Sequence, residues 1–300
     1  MRSFWIKFAC SAACLAVLFW WTDTTEVWTR LRGLDLGWIA LALAGMTAAT
    51  VSMAYRWAHI AQAFGVQIGF GTALREYYLG QLINTALPGG VAGDVTRAVR
   101  ARHAGDLKSA AQSVVADRLI GQTIMLTMMF TGFAAARALP GGVRWDMMHE
   151  AVLITLILCA VVGFGLSRLK NALARFLIIA AGLLASPAIL IQGLIASLCL
   201  IFSFYACARA VGLAIPPEGW ATLIPLTLCA MLIPFSIGGW GWREGAAAAL
   251  FPFVGMSASG GIATGIAYGV VLLVAALPGV FLLFSKRPAK PLSTQGSHTS

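Results

Sequence analysis

Charge is what this chain has least of. Only 11% of its 300 residues are Asp, Glu, Lys or Arg, against roughly a quarter in ordinary soluble domains. That scarcity excludes a water-soluble globular enzyme. The histidines are few and scattered (His59, His103, His149, His298), and nothing groups them with carboxylates at metal-ligand spacing. Cys10, Cys14, Cys159, Cys199, Cys207 and Cys229 all fall in apolar stretches without the paired spacing of zinc or redox sites, so they read as small buried hydrophobes. No phosphate-binding loop, zinc motif or nucleophile elbow occurs. No metal, cofactor or nucleotide-driven step is therefore expected. Polar sequence is also short: the one polar tail is Ser285–Ser300, and it leaves no room for a separate soluble catalytic domain.

Apolar sequence fills the rest. The chain is 59% hydrophobic, in runs that repeatedly approach the ~20 residues needed to cross a bilayer. The fold expected is an all-α polytopic membrane protein. The net charge of +10 does not imply nucleic acid as a partner, because the basic residues form no single stripe. They lie beside apolar spans, where the positive-inside bias and anionic headgroups account for them. Arg2 and Lys7 followed by an apolar run to Trp21 imitate a signal peptide. Leu18-Phe19-Trp20-Trp21 offers no small-residue cleavage site, and Cys14 lies too early for lipid attachment. An uncleaved first span is expected over Phe4–Trp21, with Trp20, Trp21 and Trp28 as an interfacial belt.

Further spans are expected at Leu36–Tyr55, ending at Arg56, then at Ser109–Ala136 and Ala151–Leu166. A basic loop with Arg168, Lys170 and Arg175 precedes Phe176–Leu213, which holds at least one crossing and contains Pro187. A last span covers Gly261–Phe284. Two further segments are broken. Thr72–Leu87 ends in Leu87-Pro88-Gly89-Gly90-Val91-Ala92-Gly93-Asp94-Val95-Thr96-Arg97. Trp220–Phe253 contains Ile233-Pro234-Phe235-Ser236-Ile237-Gly238-Gly239-Trp240-Gly241-Trp242-Arg243-Glu244. Proline and paired glycines end a helix, and in hydrocarbon the freed backbone groups are tolerated only beside protein or a wet cavity. Broken segments at corresponding places in two halves are the best sequence pointer to a transporter-type binding site. The hinges are thus Pro88, Gly89, Gly90, Gly93, Pro234, Gly238 and Gly239.

Charge sets the topology. Were Thr72–Leu87 to cross fully, Arg97, Arg100, Arg102 and Lys108 would all lie outside, against the positive-inside rule. A re-entrant segment repairs this. With the second break re-entrant from the opposite side, both termini are cytoplasmic and most of the 21 Lys and Arg lie inside. The architecture expected is about six full transmembrane helices plus the two re-entrant segments, forming an inverted repeat. A parallel repeat in which every segment crosses is the alternative. Residues 1–285 make one transmembrane domain, and 286–300 a disordered cytoplasmic tail.

The rare charges then become the candidate site. Asp94, directly after the first break, is placed as an N-cap, with Arg97 one turn on beside a positive helix end that attracts anions. The competing reading is a capping aspartate and a snorkelling arginine anchoring a surface helix, Asp94–Lys108. Asp117 and Arg118 lie within a span; adjacent helical residues point about 100° apart, so each needs another partner. Gln122 shares the side of Arg118. Arg243 and Glu244 close the second break, where an interfacial tryptophan belt is the alternative. Arg75 and Glu76 are weaker candidates, marking a boundary.

The first motif, together with Val114-Val115-Ala116-Asp117-Arg118-Leu119-Ile120-Gly121 and Pro234-Phe235-Ser236-Ile237-Gly238-Gly239-Trp240-Gly241-Trp242-Arg243-Glu244-Gly245, resembles the lysylphosphatidylglycerol synthase transmembrane region, or flippase-like domain, family. The likeness spans nearly the whole chain, although here Gly89-Gly90 follows Pro88 directly, ahead of Gly93-Asp94. In the multiple peptide resistance factor such a domain moves aminoacylated phosphatidylglycerol between leaflets while a separate soluble domain makes the lipid. The resemblance implies a bacterial inner-membrane translocator, not an aminoacyltransferase, that moves an anionic or aminoacylated phospholipid or a lipid-linked intermediate. Asp94, Arg97, Asp117, Arg118, Arg243 and Glu244 would line its path. A lipid-presenting subunit of a partner lipid-modifying enzyme, a polyprenyl-phosphate transferase and a homo-oligomer are the other expectations carried forward.

Overall fold

The structure, a computed structural model, describes residues 13–14, 16–18, 20–86, 91–138, 172–231 and 238–284. The hinges Pro88, Gly89, Gly90 and Pro234, the span expected at Ala151–Leu166, most of the first span and the tail 286–300 lie outside the described residues. Among the described residues the regular structure is helical, with no strand. We number the helices α1 (Thr24–Arg32), α2 (Leu36–Ala63), α3 (Phe70–Ala86), α4 (Ala92–Ala101), α5 (Leu107–Ala138) and α6 (Ala172–Leu184). After these come α7 (Pro187–Ala210), α8 (Pro217–Ala221), α9 (Leu223–Ala230), α10 (Trp242–Leu250), α11 (Ala258–Ala276) and α12 (Pro278–Phe284). Four stretches are long and apolar enough to cross a membrane: Leu36–Ala63, Leu107–Ala136, Pro187–Ala210 and Ala258–Phe284.

Local chemistry starts these helices where the sequence has capping residues. The Asp35 carboxylate accepts from the Gly37 (2.8 Å) and Trp38 (3.3 Å) amides to open α2. Asp106 does the same for Ser109 (2.8 Å) at α5, and Ser257 for Gly260 (3.1 Å) at α11. Pro187 occupies the first position of α7, where its missing amide donor costs nothing.

The second span does not end at Arg56. Helix α2 continues to Ala63 because Trp57-Ala58-His59-Ile60-Ala61 carries no breaker before Gly65, which has φ 79°. Arg56 is therefore inside the bundle, 4% exposed. Lipid tails offer no hydrophobic drive for helices to associate, so close packing and interhelical hydrogen bonds must hold them. Helices α2 and α7 show both. Ala42, Gly45 and Ala49 of α2 are buried, Ser203 donates to the Ala42 carbonyl (2.8 Å), and Ser52 donates to the Gln192 carbonyl (2.7 Å). On the outside, large apolar side chains of α7 and α11 such as Ile191, Leu198, Leu273 and Val274 are exposed, as a lipid-facing surface requires.

Helix α4 is not the surface helix that Asp94–Lys108 could have formed. Its charged arc turns inward: Arg97 is 3% exposed, whereas Val95 is 60% exposed. An ion-pair network on α2 and α5 waits on the inside, and it satisfies those charges better than the surface would. Helices α3 and α4 meet almost backbone to backbone. A Cβ at Gly93 would collide with the Gly80 carbonyl, so only glycine admits this approach.

Candidate functional site

The first broken segment delivers its charges to a cavity of about 400 Å³ enclosed by α2, α3, α4, α5, α7, α9 and α11. Asp117 sits 1% exposed at its wall. The Arg56 Nε donates to its Oδ1 (2.9 Å), Arg97 Nη2 to its Oδ2 (3.2 Å), and the Tyr77 hydroxyl also to Oδ2. A buried carboxylate needs this many donors, because a lone charge in such surroundings costs several kcal/mol. Asp117 lies about 15 Å along α5 and Arg56 about 10 Å back from the end of α2, at the helical rise. Antiparallel packing brings these two depths together. Gly121, one turn past Asp117, leaves the space that the Arg56 guanidinium fills: a Cβ there would lie 2.8 Å from Nη2.

Arg97 is clamped. Its guanidinium carbon stands 4.5 Å from the Trp57 ring centre and 4.3 Å from that of Tyr77, a double cation–π arrangement. Trp57 is itself fixed by donating to the Ser113 hydroxyl (3.2 Å). Asp94 is not the N-cap expected of it. The helix begins at Ala92, because the Asn84 side chain accepts from the Gly93 amide (2.7 Å) and satisfies that donor instead. Asp94 is thereby inside the first turn and faces two arginines, Arg97 at 3.7 Å and Arg118 at 2.5 Å. Asp117 and Arg118 find separate partners, as their adjacent positions require. Gln122 lines the same cavity.

Four of the expected site residues, Asp94, Arg97, Asp117 and Arg118, thus surround one space. Arg243 and Glu244, expected along the same path, lie behind its wall and are 0% exposed. The reason is local. Glu244 Oε2 accepts from the Gly241 amide (2.7 Å), which curls its carboxylate back onto Arg243, and the two neutralise each other. The Arg243 guanidinium is covered by Trp240 (5.0 Å) and Tyr268 (5.7 Å). Tyr268 itself lines the cavity. Gly238, Gly239 and Gly241 all take positive φ (55°, 82° and 91°), a backbone path that side chains resist. Gly238 and Gly239 face the cavity, and a Cβ at Gly238 would lie 3.4 Å from the Thr85 carbonyl. The two broken segments therefore touch.

Sequence reasoning missed Arg56, Tyr77 and Trp57. The signal for Arg56 was the apolar helical pattern continuing to Ala63. The residues thought to mark a boundary also have partners: Glu76, 5% exposed, accepts from Arg100 (2.6 Å), and Arg75 donates to the Leu282 carbonyl (3.0 Å). Among the described residues no group of three His, Cys, Asp or Glu side chains is gathered as a metal ion would need.

The sum over the cavity wall is electropositive. Arg56, Arg97 and Arg118 face Asp94 and Asp117, leaving a surplus of one positive charge in a largely apolar space. The lysylphosphatidylglycerol synthase TM region family model matches residues 4–279, and the chain belongs to that family. The match is to a membrane region and not to a catalytic domain. No curated protein matches the chain.

Proposed function

We propose that this family member is a lipid translocator of the bacterial cytoplasmic membrane with both termini cytoplasmic, moving an anionic or aminoacylated phospholipid or a lipid-linked intermediate between leaflets. The observation that carries this reading is the Arg56–Asp117–Arg97 cluster beside the Asp94–Arg118 pair, placed in the wall of a cavity between apolar helices. The barrier to lipid exchange is the headgroup: moving its charge into hydrocarbon costs far more than sliding acyl chains along lipid-facing helices. Fixed guanidinium groups at mid-depth replace the lost water, and arginine binds phosphate with two parallel hydrogen bonds. Asp117, already holding three donors, keeps Arg56 and Arg97 in place without itself presenting a free charge to the headgroup. The second break, with Gly238 against Thr85, forms the opposing wall.

The test is translocation in proteoliposomes carrying headgroup-labelled phosphatidylglycerol, with label in the outer leaflet quenched by added reductant. Wild type should move the lipid well above empty vesicles, and Arg97→Gln should move it at least about tenfold more slowly. Tight lipid binding without movement would overturn the transport reading in favour of a lipid-presenting subunit. Maleimide labelling of Lys108→Cys from the periplasmic side would sink the re-entrant topology.

A further inference from the structure

The Asp94–Arg118 pair differs from the rest of the cluster in being at its outer edge. Arg118 is 36% and Asp94 17% exposed, against 1–5% for Arg56, Arg97 and Asp117. Around the pair the surface is apolar. Val91, just before α4, and Val95 of α4 are 51% and 60% exposed, and Val115 and Leu119, on α5 to either side of Arg118, are 50% and 39% exposed. Arg118 stands about 16 Å along α5 from Leu107, well within the ~30 Å of bilayer hydrocarbon. A part-exposed guanidinium that lines the cavity and is flanked by exposed valine and leucine, partway along a helix long and apolar enough to cross a membrane, places charge beside an apolar outer surface.

The geometry points to the α4–α5 seam as a lateral opening in which the Asp94–Arg118 ion pair is exchanged for one between Arg118 and the phosphate of an incoming anionic lipid. This deepens the translocation reading and rests on it. Asp94 stands between two cations, 2.5 Å from Arg118 and 3.7 Å from Arg97. When a phosphate takes Arg118, Asp94 retains Arg97 as its counter-ion and no carboxylate is left alone in a low-dielectric site. The incoming phosphate thereby offsets the one surplus positive charge of the cavity wall. The acyl chains stay outside on Val91, Val95, Val115 and Leu119 while the headgroup enters. When the lipid leaves, Asp94 recaptures Arg118 and resets the opening. The two residues have unequal tasks: Arg118 binds, and Asp94 competes.

That inequality separates the exchange from a merely structural ion pair. Asp94→Asn removes the competitor with little change of shape. Phosphatidylglycerol retained by the protein in native mass spectrometry, or the immobilised fraction of a spin-labelled analogue, should correspond to about fivefold tighter binding, while translocation slows because release is no longer assisted. Arg118→Gln should lose both binding and movement. The reversed pair, Asp94→Arg with Arg118→Asp, restores the ion pair but puts a carboxylate where the phosphate must bind. The exchange requires that it stay folded and remain inactive toward anionic lipid. Recovery of wild-type movement by the reversed pair would overturn the proposal and leave a structural strut. Unchanged or weaker phosphatidylglycerol binding by Asp94→Asn would overturn it too. Soluble glycerol 3-phosphate supplies the source control: displacement of bound lipid by it at comparable concentration would assign the site to free phosphate and reject the lateral lipid opening. The binding arm decides the exchange even if wild type moves no lipid, so failure of the translocation reading would be seen separately.

Discussion

The two broken segments begin with similar means and dispose of their charge in opposite ways. Each carries paired glycines followed within a few residues by an acid and an arginine. After the first break, Asp94 and Arg97 reach across to other helices, joining Asp117 and Arg118 of α5 and, through Asp117, Arg56 of α2. After the second, Arg243 and Glu244 close on each other and are sealed under Trp240 and Tyr268. The first arrangement spreads its charge between helices around the cavity. The second spends it on holding a turn, since Glu244 also accepts from the Gly241 amide. Charge beside a membrane break is therefore not by itself a binding site; what matters is whether its counter-ion lies within the same turn or on another helix.

Breaking the sealed pair should give the largest effect. Arg243→Met strands the Glu244 carboxylate at a position that is 0% exposed, and loss of one partner of a buried pair costs about 3–5 kcal/mol. Thermal unfolding in detergent should show that loss, and adding Glu244→Gln should recover most of it, because the amide oxygen still accepts from Gly241. If instead Arg243→Met is stable but inactive, the contrast between the breaks collapses.

Arg97→Gln is the matching change in the first segment. Asp117 keeps Arg56 and Tyr77, so stability should fall by only about 1.5–3 kcal/mol while lipid movement is largely lost. A stability loss as great as that of Arg243→Met would make the two breaks alike. Gly93→Ala sharpens the comparison geometrically. Its Cβ would press on the Gly80 carbonyl, and overpacking of this kind costs about 1–3 kcal/mol; Gly245→Ala, beyond the second break and 3.7 Å from the nearest Leu18 atom, should be nearly neutral in the same unfolding assay.

The smallest effect lies outside the spans, at the start of α5. The Ser109 amide and hydroxyl hold the Asp106 carboxyl below its ordinary range. A lowered folded value means that the cap is fully present above the unfolded carboxylate value of about 3.9 and is lost as pH falls through the lower, folded one. Amide protection at Ser109 should decline over that acidic range, and Asp106→Asn should remove the pH dependence. Persistence in the variant would assign it to another group.

How much of this could be read from the residues follows the same division. Asp117 and Arg118 stood out because charge is rare inside an apolar run, and their separate partners followed from helical geometry. Arg243 and Glu244 do not follow that geometry. They too are adjacent, yet at the first turn of α10 the long Glu244 side chain folds back to an unused amide and passes over its neighbour, a bend of side-chain torsions that spacing does not encode. Arg56 was hidden because a basic residue after an apolar run reads as the end of a span. The inward turn of the charged face of α4 was hidden for a related reason: its partners, Glu76 of α3 and Asp117 and Arg118 of α5, belong to other helices, and a helical wheel knows nothing of them. The helical class and the broken segments were plain because composition, proline and glycine act locally.

The distribution of the cluster over three helices also bears on how the chain is made. Arg56, Arg97 and Asp117 leave the ribosome in that order, and a lone arginine or aspartate at the centre of an inserting helix costs about 2.5–3.5 kcal/mol. Arg56 therefore emerges with no counter-ion and is drawn toward the headgroups until Asp117 follows, about sixty residues later at the numbering of the chain. Helix α2 can reach its final depth only after α5 has been threaded, and Arg97 can turn inward only then. A nascent chain arrested before Asp117 still has Asp94 beside Arg97 on one helix, but lacks the carboxylate that pairs with Arg56. The pairing of Arg56 with Asp117 thus ties the settling of α2 to the arrival of α5 during synthesis.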